Sequence, residues 1–455
     1  MGRGAFHECI ARLKDYFGDL FAIQIGFQRI IVTSRINIVR HVLSDRNTYD
    51  ISETTNRNFS LIFPQCLLAI NGEAFQRHSR IMMPMYRKSK TLPYFDDIVH
   101  TVDAFIDEEF TNSTRPIHPD LVMNSQYLLL NIIVKIGFNY DLKREDSAAD
   151  KMLNKAFNDV INCANHFAMT AVLPKRLARF RLKFDKGFQE ALKTLKRFVV
   201  AIINEEKQRQ EEHELDSSPR KSLIQSMVIA AEKDRLELGS RKASLTSDEL
   251  FDEACLSMVA GFETTSTVLS WFFFLMSKYP EVQKRMKQEL HDHDLFSHSV
   301  LLPEHCDNLT YMNCVIKEIL RFIPVTPAVV RQATRDDKIE DLQIKKGDIF
   351  LLTTHNIHKN PNLWKIDPTK FIPERFLDAD QNPAPFTYLP YGGGHRACIG
   401  QDLANFELRI IATRLMQRVT IEDPGTAANN SGGYCQRITC FPKHVALRVY
   451  LDENE

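Results

Sequence analysis

The segment that most constrains this chain is a ten-residue loop near its C-terminus, Tyr391-Gly-Gly-Gly-His-Arg-Ala-Cys-Ile-Gly400. It runs into the periodic stretch Asp402-Leu-Ala-Asn-Phe-Glu-Leu-Arg-Ile-Ile411. Flexible backbone thus delivers one cysteine, Cys398, to the start of a predicted helix. Backbone N–H groups and the helix dipole at that point favour a negatively charged sulfur. Glycine tolerates positive φ and lets a large flat group approach the backbone closely. One thiolate does not make a structural zinc site, which takes four ligands. It suits iron already held by a macrocycle, with the protein supplying the axial sulfur.

Tyr391, Gly394, Arg396, Cys398 and Gly400 resemble the haem-ligand motif of the cytochrome P450 family, where an aromatic, a glycine, an arginine, the cysteine and a glycine recur at this spacing. The usual aromatic is phenylalanine; Tyr391 keeps the ring and adds a hydroxyl close to the sulfur. The resemblance implies haem b bound through Cys398, with Gly392 and His395 also in the cofactor-binding loop. It also implies a mainly α fold with small peripheral β-sheets, the single cytochrome P450-type fold. A glycine-rich turn with an incidental buried cysteine is the bland alternative, and three further motifs in family order stand against it.

With 455 residues the chain exceeds the usual size of one domain. The most polar stretch, Glu205–Glu249, reads as a helix end, a loop and a new helix start, with Thr246-Ser-Asp-Glu249 suited to N-capping. A domain boundary there would leave neither half with all the site residues, so residues 1–455 are expected to form a single haem-thiolate monooxygenase domain. Lys+Arg and Asp+Glu balance at 58 each, which gives no argument for a nucleic-acid partner. Nine cysteines without pairing rhythm suggest reduced thiols in a cytosol-facing protein. The N-terminus carries too many polar residues for a membrane span. The first expected structure is a strand pair, Leu20–Ile25 and Arg29–Val32. Microsomal family members place an apolar anchor before it, so endoplasmic reticulum membrane association is expected if a longer chain carries one, and a cytoplasmic location otherwise. Further strands are expected only in Lys338–Thr353 and Tyr434–Tyr450.

Ala260-Gly-Phe-Glu-Thr-Thr265 interrupts an apolar helix. Glycine costs about 1 kcal/mol relative to alanine there, and threonine can bond the carbonyl one turn back, opening a polar groove. The segment is similar to the family's proton-delivery motif. By that match Thr264 would hydrogen-bond iron-bound oxygen or its water and Glu263 would feed protons. Ala260 and Gly261 would leave room over the haem. A kinked core helix with a salt-bridged Glu263 is the plain alternative.

Glu318 and Arg321 lie at i, i+3 on a helix expected to stop at Pro324, and resemble the family's Glu-x-x-Arg motif; Arg375 matches its third member. Their implied role is structural. Haem propionates need cations, and by the resemblance Arg396 and Arg331 supply them, with His395 as a possible assistant. An early-helix contact matches Phe75 and Ser79 here, so the usual polar groups are missing unless Arg77, His78 or Arg80 substitutes. Arg77, Arg80, Arg87, Lys88 and Lys90 form a basic stretch suited to an acidic flavin or iron–sulfur redox partner, or merely solvated.

Val325, Thr326, Pro327 and Val329, with Val259 and Ala260, are expected to line a small apolar pocket for a lipophilic small-molecule substrate. The expected activity is insertion of one atom of dioxygen into that substrate, with electrons from NADPH through a separate reductase. A haem-thiolate isomerase or dehydratase and a non-catalytic haem-binding sensor are the alternatives.

Overall fold

Alternating apolar side chains in Leu20–Ile25 (β1) and Gln28–Thr33 (β2) form the expected hairpin, with Leu20 opposite Thr33 and Ile25 opposite Gln28. Five more strands follow in unequal sheets: Tyr49–Asp50 (β3), Val329–Ala333 (β4), Asp337–Ile339 (β5), Leu342–Ile344 (β6) and Ile349–Leu352 (β7). The larger sheet has the order β1-β2-β7-β4-β3, and β5 pairs with β6 alone. β2 and β7 run parallel, whereas β4 is antiparallel to both its neighbours. Register matters for the site: Asp50 of β3 pairs with Gln332, so it stands one residue from Arg331 on the neighbouring strand. Ile31, Tyr49, Phe350 and Leu352 pack with Val39, Val42 and Leu43 of the helix Ile36–Ser44 into one apolar cluster. The C-terminal strands are Val419–Glu422 (β8), Gly432–Gln436 (β9), Cys440–His444 (β10) and Arg448–Leu451 (β11), paired β8 with β11 and β9 with β10.

This computed structural model describes residues 5–111, 117–140, 151–153, 155–156, 159–160, 175–211, 221–237, 244–323 and 325–452. Residues 212–220, part of the expected polar loop, and Pro324 lie outside the described residues. The chain forms two compact units: residues 1–52, 98–128 and 264–455 make one, and residues 53–97 and 129–263 the other. Neither is continuous in sequence, and the helix Ser247–Lys278 gives its first part to the second unit and its remainder to the first.

Sequence patterning missed three things. A helix, Phe6–Phe17, precedes the first hairpin. β3 and β4 lie before the second expected strand region, and β8 before the third. The long helix also stays α-helical through Gly261 and the two threonines. Its start is as expected: the Thr246 hydroxyl accepts from Glu249 N–H at 3.2 Å, and the Glu249 carboxylate accepts from Thr246 N–H at 2.8 Å. Gly261 is required by packing against a neighbouring helix. A Cβ there would stand 2.8 Å from Ile133 Cδ1 of the helix Leu121–Phe138.

In the first unit, Glu318 and Arg321 sit on the helix Thr310–Phe322, fully buried. Arg321 donates to both carboxylate oxygens of Glu318 at 2.7 and 2.8 Å, and Arg375 Nε donates to Glu318 Oε1 at 3.1 Å. Arg375 also meets Asp380 at 3.3 Å, a partner the motif does not name. Both guanidinium groups further donate to carbonyls of His358, Pro368, Lys370, Ile366 and Asp367. A buried charge network with its hydrogen bonds filled fixes geometry even where it adds little net stability. It holds the irregular segment 358–380 upstream of the cysteine loop.

Candidate active site

In the first unit the cysteine loop is built from backbone geometry. Gly392 and Gly394 adopt φ of +69° and +71°, which residues with a side chain rarely take. A Cβ on Gly394 would stand 2.0 Å from the Leu43 carbonyl oxygen, so only glycine lets the loop seat against that helix. Gly400 differs: its φ is −89° and it caps the helix Gln401–Arg418. The Cys398 N–H donates to the Tyr391 carbonyl at 2.9 Å, closing the loop. Cys398 is exposed as a residue, although protein surrounds much of its thiol. Burial pushes its thiol up, and a hydrogen bond from Gly400 N–H pulls it back. Cys440, by contrast, is buried in β10 against His7, and burial pushes its thiol up to about 12.

Two arginines stand beside the loop. Arg396 Nε donates to Asp50 Oδ1 at 2.7 Å, and His395 Nε2 lies 3.4 Å from the same oxygen. Burial works against ionisation of Asp50, but hydrogen bonds from His395 and Arg396 win and hold its carboxyl far below the usual range. Arg331 is 5% exposed, and its guanidinium donates to the carbonyls of Val330 at 2.9 Å and Gly393 at 3.3 Å. Among the described residues it forms no ion pair with a carboxylate. Burial, and then the charge of Arg396, push Arg331 down to about 10, with Asp50 opposing. Arg396 thus takes Asp50 directly, while the buried Arg331 feels that carboxylate only at a distance, an arrangement that would welcome another anion at Arg331. Sequence reasoning missed Asp50, which carries no motif and reaches the loop only through the pairing of β3 with β4.

The tyrosine hydroxyl has a partner that sequence did not name. It donates to Asn405 Oδ1 at 2.9 Å, so its single proton is not offered to the sulfur. Thr264 is half-buried in the first unit, and the next residue, Thr265, is buried and hydrogen-bonds the carboxyl of Glu407. Glu407 lies on the helix that follows Cys398, and burial pushes its carboxyl up to about 8. This acid too escaped sequence reading, where it looked like one polar position in an amphipathic helix.

The second unit holds Ala260, which is exposed, and Glu263, which is buried. It also holds the early helix Gly72–Met82. There Arg77 donates to Glu249 at 2.5 and 3.0 Å, His78 Nδ1 lies 2.6 Å from Glu253, and Arg80 donates to Asp234 at 2.6 Å. The three residues considered as substitutes for the missing early-helix contact are therefore held by acids. The Ser79 Oγ is buried without a hydrogen-bond partner.

The sequence profile of Cytochrome P450 matches residues 1–433. The chain belongs to the cytochrome P450 family. Among curated relatives, cytochrome P450 2D10 of Rattus norvegicus is 27% identical over 96% of this chain and 87% of its own length. The steroid 17-alpha-hydroxylase/17,20 lyase of Ovis aries is 25% identical over 93% of this chain and 83% of its own. As a P450 the chain is a haem-thiolate monooxygenase with haem b as its cofactor, and it works on a lipophilic substrate with dioxygen and a redox partner. The donor set fits that group: one cysteine on an exposed loop position with a backbone N–H at its sulfur, and a buried arginine, Arg331, with no carboxylate ion pair among the described residues.

Proposed function

We propose that this single-domain P450 oxygenates a small, lipophilic molecule, with Cys398 as the axial ligand of haem. The observation that carries this reading is the exposed residue Cys398 on a loop with Arg396, paired to Asp50, and with the buried Arg331 bonded to its Gly393 carbonyl. Bound haem supplies dioxygen activation and oxygen-atom transfer, favoured by electron donation from the thiolate. The chain's own groups do the rest. Tyr391, Gly392, Gly394 and Gly400 shape the loop, while Arg396 and Arg331, with His395 beside Asp50, would hold the propionates. Thr264 would hold a proton at its hydroxyl, Glu263, its neighbour on the same helix, would feed protons to it, and Ala260 would leave room for the cofactor. Val325, Thr326, Pro327 and Val329 line the substrate side.

Electrons are proposed to come from NADPH through a separate flavin reductase. Arg87, Lys88 and Lys90 are exposed on the second unit and supply charge for docking an acidic partner. We further propose association with the endoplasmic reticulum membrane. In the second unit the helix Lys175–Phe184 exposes Leu177, Phe180 and Phe184 among Arg179, Arg181 and Lys183, a pattern suited to an anionic bilayer surface. Co-flotation with anionic vesicles, lost on Phe180→Ser with Phe184→Ser, tests this.

The primary test is the spectrum of the reduced, carbon monoxide-bound protein. A strongly red-shifted Soret band that is lost in Cys398→Ala supports the assignment; a band typical of histidine or neutral thiol ligation overturns it. Steroids, named by the sheep relative's activity, belong in the first substrate panel. NADPH-dependent oxygen uptake separates monooxygenation from isomerisation.

A further inference from the structure

A loop of three consecutive glycines is a weak platform for a metal ligand, because glycine loses more conformational freedom on ordering than any other residue. Something must hold residues 391–400 in one arrangement. The Cys398 N–H bond to the Tyr391 carbonyl ties the cysteine to the loop's first residue. The fate of that residue then decides how firmly the sulfur is held. Tyr391 is half-buried, and its hydroxyl reaches past the loop to Asn405 Oδ1 at 2.9 Å.

Asn405 stands one turn into the helix Gln401–Arg418, whose first backbone bond, Ala404 N–H to Gly400 carbonyl, is 2.9 Å. That helix is a rigid support: Leu403, Phe406, Leu408, Ile410, Ile411 and Leu415 are all buried. The side-chain bond therefore joins the upstream end of the glycine loop to the packed helix at its downstream end. A phenylalanine would fill the ring position but leave that end tied by backbone alone. Burial, and then the negative charge available at Cys398, raise the Tyr391 phenol, so it stays a protonated donor at neutral pH.

We propose that Asn405 is a positioning residue for the axial thiolate, acting through the Tyr391 hydroxyl to close the cysteine loop against its own helix. The inference rests on Cys398 being the haem ligand. A bond between two second-layer groups sets how firmly the ligand is held and how much charge it gives the metal. Losing it weakens donation, so the iron becomes easier to reduce and the thiolate easier to displace.

The test uses the haem-loaded full chain and three variants: Tyr391→Phe, Asn405→Leu and the double change. Two quantities are read, the reduction potential and the rate at which the red-shifted carbon monoxide band decays to the form without thiolate ligation. Each single change is expected to raise the potential and speed the decay about fivefold, the factor a typical neutral hydrogen bond is worth. The double variant is expected to match the singles, because both remove one bond. If potential and decay stay at parental values in the singles, or their effects add in the double, the proposal is overturned. A lowered melting temperature with an unchanged potential also overturns it, leaving Asn405 a merely structural residue. If the parent protein itself lacks the red-shifted band, the Cys398 assignment fails first and takes this inference with it.

Discussion

Asp50 and Arg396 lie 346 positions apart in sequence and meet at 2.7 Å, so a two-residue strand in the first unit anchors the loop that presents Cys398. Asp50 also acts as a negative charge on Arg331. Asp50→Asn keeps the shape and removes that charge, leaving two largely buried guanidinium groups that repel one another. In haem-free protein the loss is expected to be on the order of 3 kcal/mol, the cost of breaking a buried pair. Haem propionates bring negative charge to the same arginines, so the haem-loaded variant should lose clearly less. Denaturant unfolding of both forms checks this; equal losses would show that neither arginine serves the propionates.

Gly261→Ala places a methyl group 2.8 Å from Ile133 Cδ1 within the second unit. The gain in helix propensity, about 1 kcal/mol, opposes an overpacking cost of about 1–3 kcal/mol. The single variant should be neutral to modestly destabilised. Adding Ile133→Val removes the nearer of two crowded atoms, Cδ1, while a Cγ stays at 3.0 Å, and should recover part of the loss. Thermal midpoints of the two variants decide it, and a double variant worse than the single would mean that Gly261 has a role other than packing.

How much of this was legible beforehand depends on the range of each interaction. The cysteine loop, the Glu318–Arg321 pair and the capping box at Thr246 are local patterns, and all were readable from residue type and spacing. The identity of Arg375 as third partner came from motif resemblance, since it lies 57 positions beyond Glu318 and nothing between them announces it. Asp50 and Asn405 were not legible. Asp50 needs the β3–β4 register, and Asn405 needs the direction in which the Tyr391 ring points. The tyrosine itself was visible as a departure, but sequence could not say that its hydroxyl takes Asn405 as partner. β3 and β8 escaped because strands of two and four residues carry too few positions for alternation to register.

Glu407 offers a pH test. Its carboxyl rises from an ordinary value near 4.5 to about 8 in the folded protein because burial disfavours the charge, while the hydrogen bond from Thr265 only partly compensates. Between those two values the folded state binds more protons than the unfolded chain, so this group's contribution falls as pH rises from 4.5 toward 8 and levels off above. The slope is about 1.4 kcal/mol per pH unit within the window. Glu407→Gln keeps a partner for Thr265 and cannot titrate. The variant should therefore gain on the parent steadily from pH 5 to pH 8, in unfolding midpoints measured side by side. Parallel profiles would mean that the carboxyl ionises normally, through water that reaches it.

The two glycines that bracket Cys398 should respond in opposite ways to the same methyl group. At Gly394 an alanine meets both penalties, a left-handed backbone at φ +71° and a Cβ 2.0 Å from the Leu43 carbonyl oxygen, which is backbone and cannot swing aside. The loop must move to admit it, and the thiolate moves with the loop. Gly400 has an ordinary φ of −89°, and its added Cβ would lie 4.0 Å from Cys398 Sγ, within van der Waals contact. Gly394→Ala should accordingly lose most of the red-shifted carbon monoxide band, whereas Gly400→Ala should keep it and merely raise the local crowding at the sulfur. Haem content and the band ratio, read on the two purified proteins, separate the cases. If Gly400→Ala proves as damaging as Gly394→Ala, then the space above Gly400 is needed by the bound cofactor, and it is close approach rather than backbone conformation that demands glycine there.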